Sequence, residues 1–178
     1  MRPFARRSAP APDPVLAAAD LPRGEPVLAA GAAADGTWLL GTRRRLVLVD
    51  PAAGATSLPW EEVEDAAWDR EESRLRVTAI GSFAAPRPAW SFELEDPERL
   101  LQLVRERVTA SVVLQRRVPV RDGRGLTVIG RRNPAGGPVA WMHAYDVGLD
   151  PADPEVVVVA DLALAQARAE AGEPVGEV

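Results

Sequence analysis

Ten side chains are of a type and spacing that could bind an anion or a partner. Arg43, Arg44 and Arg45 stand together in "GTRRRLVLVD", immediately before a run of β-formers, and could offer guanidinium donors to a phosphate or a carboxylate. Arg116, Arg117, Arg121, Arg124, Arg131 and Arg132 crowd residues 116–132, where Asp122 is the one acid. Such a basic stretch is the electrostatic footprint of an anion or nucleic-acid binder. Trp60, after Pro59 and before an acidic run, is expected near the surface, where a groove beside it would make it an interface anchor. Each feature has a plainer reading. Strand alternation would point at least one arginine of the triplet sideways, so a solvated turn comes first and an anion or acidic-partner contact second. Residues 146–178 carry eight carboxylates against Arg168, so the basic and acidic segments would neutralise one another within the fold or across a homodimer.

Catalytic chemistry finds little support. All 21 basic residues are arginine, which removes Schiff-base amines and the phosphate-loop lysine, and the absence of cysteine removes thiol nucleophiles and thiolate metal sites. The one histidine, His143, shares a predicted strand face with Val139, Trp141 and Tyr145, company that suggests packing rather than catalysis. No serine lies in a nucleophile-elbow pattern. The glycines of "GRGLTVIGRR" do not form a dinucleotide fingerprint, and no helix start follows them. Glu61, Glu62, Glu64 and Asp65, with Asp69, Glu71 and Glu72, could hold a cation or form a carboxylate-based active site only by converging. A strand would instead alternate them, leaving a solvated surface paired across to Arg74 and Arg76. No catalytic residue, cofactor or metal site is expected.

With 178 residues, 47% of them hydrophobic, the chain can bury a substantial core, in one domain or a domain with an appendage. Its net charge of -5 argues against a surface that courts polyanions everywhere. No stretch approaches the roughly 20 apolar residues that span a bilayer, and the only apolar run near the start, Val15 to Ala19, is too short for a signal-peptide core. These features predict a cytoplasmic protein. Residues 1–24, rich in Pro and Ala, read as a mobile leader, and 173–178 as a frayed tail.

From residue 26, short alternating runs separated by turn signals predict six or seven antiparallel strands curling into a sandwich or barrel. Asp35-Gly36 marks a hairpin, and "REES" a turn before "RLRVTAI". In "AWSFEL", Trp90, Phe92 and Leu94 share the inward face. Asp96 as N-cap and Pro97 at the first helical position open an amphipathic helix reaching about residue 117. A hairpin turning near Asp122-Gly123, a strand in "PVAWMHAYD" and a helix over 154–170 follow, the helix favoured over a strand despite four consecutive valines. The fold class is α+β, mainly β.

This order of elements resembles the pleckstrin-homology-like (PH-like) fold. More particularly, "DGTWLLGTRRRLVLVD", "LPWEEVEDAAWDREESRLRV" and "LLQLVRERVTASVVLQRRVPV" are similar to uncharacterised PH-like proteins of high-GC bacteria. The resemblance implies a PH-like domain over 25–117, a bent antiparallel sheet or barrel capped by the helix, with 118–172 as an extension packed on it. It also implies a scaffold that binds protein segments or, in some members, phosphoinositides. The first hairpin here, "AAGAAADGT", carries no positive charge, so phosphoinositide binding is not expected. The leading expectation is a non-enzymatic module binding a protein segment along a sheet edge or beside the helix. Anion or nucleic-acid binding through Arg116–Arg132 with Arg43–Arg45 stands second.

Overall fold

The computed structural model describes residues 10–81 and 87–172. The first nine residues of the expected leader and the expected frayed tail lie outside them. The chain forms two compact units, Met1–Ala110 and Ser111–Val178. The described residues are mainly β, in three antiparallel sheets.

In the first unit, β1 (Val27–Ala32), β2 (Trp38–Thr42), β3 (Arg45–Asp50) and β4 (Gly54–Pro59) pair in sequence order as one sheet. A short 3-10 turn, Trp60–Glu62, leads into β5 (Val63–Asp69), β6 (Arg74–Ala79) and β7 (Ala89–Glu93), a second sheet. The predicted strands are therefore present, but among the described residues they do not close into a barrel. The hairpin at Asp35-Gly36 forms as expected, with Gly36 at φ +90 and the Thr37 N–H bonded to Asp35 Oδ1 at 2.9 Å.

The main core lies on one face of the first sheet. Leu39, Leu46, Leu48 and Leu58 pack there with Leu75, Val77, Phe92 and Leu94 from the second sheet. Leu100, Leu103 and Val104 of α2 (Glu98–Ser111) complete the cluster. The helix comes close to the strands because two glycines let it. A Cβ at Gly41 would lie 2.6 Å from Leu103 Cδ2, and one at Gly31 would lie 2.9 Å from Leu100 Cδ2.

The opposite face of the same sheet is also covered, which corrects the expectation of a mobile leader. Residues Asp13–Ala18 form a short helix, α1, and Ala19 is buried with Ala30, Leu40, Val47 and Val49, while Ala11, Val15 and Leu21 pack against them. The physical reason is visible in β2 and β3. "WLLGT" and "RLVLVD" are apolar on both faces, a pattern that requires cover on both sides.

Two details of the helix also differ from expectation. Asp96 does not cap it: this residue sits at φ +48, and the Pro97 carbonyl accepts the Leu101 N–H at 2.8 Å, so the helix opens at Pro97. Nor does it run to residue 117. It ends at Ser111, and Val112–Arg121 is a strand, β8, because the β-branched pair Val112 and Val113 suits an extended backbone and the strand finds a partner.

The second unit is a meander of β8, β9 (Arg124–Arg131) and β10 (Ala140–Tyr145) with α3 (Pro154–Glu170) on one face. Asp122 at φ +50 and Gly123 at φ +72 make the two-residue turn between β8 and β9, the mirror-image geometry that matches strand twist. Asp153 caps α3 by accepting the Glu155 N–H at 2.9 Å. Its four valines are helical, Val156 joining Ala160, Ala163 and Ala167 in a buried stripe against Leu126 and Val128.

Candidate functional site

The arginine triplet does not converge. Arg43 and Arg44 occupy the exposed turn between β2 and β3. Thr42 builds that turn, its buried hydroxyl accepting the N–H groups of Arg44 and Arg45 at 3.1 and 3.0 Å. The same hydroxyl lies 2.6 Å from Glu25 Oε1, to which it can donate. Arg45 turns back into the fold, its Nε 3.4 Å from the same carboxylate oxygen and its Nη1 3.2 Å from Ser57 Oγ on β4. One member of the triplet thus neutralises a carboxylate whose side chain is only 7% exposed.

Trp60 corrects the expectation of a surface anchor, because it is wholly buried in the main core and its Nε1–H donates to the Thr42 carbonyl at 3.1 Å. The 3-10 turn that follows β4 swings the indole inward, while the flanking acids stay at the surface; linear proximity to an acidic run said nothing about the side-chain direction. Those acids do not gather into a metal or catalytic site. Glu64 pairs with Arg87 at 2.8 Å, and Arg74 takes Glu72 from the end of the acidic stretch and Glu93 across from it on β7. Among the described residues, no three His, Asp or Glu side chains are placed to hold a metal ion.

The basic segment is largely internally paired. Arg117 makes a two-toothed contact with Asp146, which also accepts the Gly125 N–H at 2.8 Å. That clasp ties β8, β9 and the chain after β10 together. It holds the Asp146 carboxyl down to about 2, the Arg117 hydrogen bond being the largest cause and the Gly125 N–H the next. Arg121 reaches Asp153 at 2.7 Å and Glu155 at 3.1 Å, which lowers Asp153 and joins β8 to the start of α3. Arg116 reaches Glu170 at 3.0 Å, at the other end of α3. Arg131 is buried and donates to Ser111 Oγ at 2.9 Å. Arg124 packs its guanidinium over Gly148, and Arg132 is exposed. His143 is half-buried beside Tyr145, ring centroids 5.9 Å apart.

A different place in the first unit has the shape of a binding site. An open cleft of about 620 Å³ is lined by Leu16 and Leu21 from the leader, by Val27, Leu28, Ala29 and Ala30 of β1, and by Glu25 and Arg99. Four consecutive residues of β1 line it. They come from both faces of the strand, Leu28 and Ala29 from the main-core side and Val27 and Ala30 from the leader side, so the cleft meets this strand at its edge. β1 is an edge of its sheet, with β2 on its other side. Glu25 is already engaged by Thr42 and Arg45, whereas Arg99, at the exposed start of α2, has no ion-pair partner among the described residues.

Comparison with protein-family models, curated proteins and solved structures returns no match. Among the described residues, no helix is long and apolar enough to cross a membrane.

Sequence reasoning missed this cleft because its far wall is the leader, read as mobile. The available signal was the two-sided apolar character of β2 and β3, which required a cover and so implied a seam where that cover meets the sheet edge.

Proposed function

We propose that the chain is a non-catalytic PH-like interaction module that takes an extended, mostly apolar protein segment in the cleft along β1. The observation that carries this reading is the cleft itself, apolar in its walls and open along a strand edge. An edge strand offers backbone N–H and C=O groups to an added strand, and flanking pockets select its side chains. Leu16, Leu21 and Leu28 supply the apolar contact, and Arg99 at the rim supplies a site for one carboxylate of the incoming segment. Of the two expected places, a sheet edge or the groove beside the helix, this takes the sheet edge and names the strand and the charge.

Selection of random peptides displayed on phage against the full chain tests it. Apolar peptides carrying an acidic residue should be enriched. Arg99→Glu should shift the enriched set toward basic peptides, and Leu16→Asp should lower its affinity at least tenfold. No enrichment, or the same peptides from both variants, overturns the reading.

Nucleic-acid binding is less well supported. Arg116, Arg117 and Arg121 are matched by carboxylates of their own unit, and Arg45 by Glu25. Titration with DNA and RNA at low salt should show no tight, steeply salt-dependent association.

A further inference from the structure

The outward face of α3 is unusual for a surface helix. Directly opposite its buried stripe, at 100° per residue, lie Val158, Leu162, Ala165 and Ala169. Val158 is 58% and Leu162 60% exposed, and neighbouring Val157 is 41% exposed. A helix apolar on both sides is normally covered on both sides. Here one side packs on the sheet of its unit, and the other is open.

We propose that this face pairs with the same face of a second copy of the chain, the two α3 helices running antiparallel about a two-fold axis near Ala165. Two observations select a second copy and this direction. The first is size: the bulky residues Val158 and Leu162 occupy the N-terminal half of the stripe and the small residues Ala165 and Ala169 the C-terminal half. Only an antiparallel self-pairing sets each bulky half against a small one, Leu162 seating between Ala165 and Ala169 of the other copy and Val158 just beyond its Ala169. The second is charge. Asp161 and Arg168 lie on the same flank of the stripe, and a two-fold antiparallel pair brings equal flanks together. With the axis between Leu164 and Ala165, Asp161 of each copy stands opposite Arg168 of the other while Leu162 sits between Ala165 and Ala169 of the other, so one register serves both the packing and two ion pairs. A parallel pair would place this flank against the opposite one and lose both matches. One helix pair lies at the small end of specific interfaces, below about 1,200 Å² in all, so the dimer forms in a concentration-dependent way.

Sedimentation of the full chain over a series reaching high micromolar concentration should show monomer passing to dimer. Leu162→Glu, at an exposed position that leaves helicity unchanged by circular dichroism, should weaken association at least tenfold. Asp161→Arg alone should weaken it severalfold, and adding Arg168→Asp should restore it, a recovery that general surface stickiness would not give. Because the chain has no cysteine, Ala165→Cys provides a clean position test. It should cross-link to itself on mild oxidation, whereas Val147→Cys, at an exposed position off the helix, should not. A chain that stays monomeric throughout, as it would if another protein covers this face, overturns the proposal. So does a dimer indifferent to Leu162→Glu, or one that Ala165→Cys does not cross-link.

Discussion

The sheet of β1–β4 and the sheet of β8–β10 are both antiparallel meanders, and each carries arginines, but they are stabilised in different ways. In the first, strands apolar on both faces are enclosed between the main core and the leader, and charge plays a minor part; the ion pair of Glu25 with Arg45 fastens the leader's end to the β2–β3 turn. In the second, α3 covers one face with valine and alanine, and the edge strand β8 is laced by Arg116, Arg117 and Arg121 to carboxylates before and along that helix. The lesson is that arginine density alone does not mark a binding surface. In a chain without lysine, arginine serves every cationic purpose, and the useful distinction is whether a carboxylate of the same unit lies within reach.

That contrast predicts different sensitivities, and five experiments would break or sharpen it. The largest effect is expected for Trp60→Ala, which empties the centre of the first unit's core and leaves the Thr42 carbonyl without its donor; urea unfolding should show a loss of about 3–5 kcal/mol. Four of the five tryptophans lie in the first unit and Trp141 in the second, so fluorescence of Trp141→Phe variants assigns the transition. Next, deletion of residues 1–22 should uncover Ala30, Leu40, Val47 and Val49, cost at least about 3 kcal/mol and raise binding of a hydrophobic dye. An unchanged stability would mean that the leader is not a structural layer. Third, Gly41→Val should cost about 1–3 kcal/mol by forcing Leu103 out of its seat, while leaving the unfolding of the second unit in place.

The smallest effects belong to the charged lacing. Asp146 titrates at about 2 in the folded protein, below the ordinary value of about 3.9, so the folded state binds fewer protons over that interval. Its contribution is therefore complete above about pH 4 and fades as pH falls toward 2, and Asp153 acts in the same direction. The urea midpoint of the second unit should drop across this window, and Asp146→Asn should flatten the drop. Arg116→Gln, removing an exposed pair with Glu170, should change stability by less than about 1 kcal/mol. A large loss there would show that the second unit depends on charge more than its packing implies.

Much of the local structure was legible in the sequence. Asp35-Gly36 and Asp122-Gly123 announced their turns because only residues that tolerate positive φ can close a two-residue reversal cheaply. Asp153-Pro154-Glu155 announced the start of α3, since an acceptor, a fixed φ and an acid suit the exposed N–H groups of a first turn. The same reasoning failed at Asp96-Pro97-Glu98, where the chain leaving β7 turns through a left-handed Asp96 and the cap is forgone. It also overran at Val112, where the amphipathic pattern of α2 continued by coincidence into a strand. Periodicity reports which faces are apolar over a few turns; it does not report when a neighbouring strand is available to take the backbone hydrogen bonds.

The sequence by itself determined the β-rich class, the positions of the tight turns, the identity of both long helices and the absence of thiol and lysine chemistry, all of which depend on residue types or on separations of a few residues. Only the tertiary structure decided that Trp60 points inward, that the leader closes the first sheet, that Arg117 belongs to Asp146, and that a cleft opens along β1. Each of those joins residues far apart in the chain, and its free energy exists only once both sides are held in place by the rest of the fold.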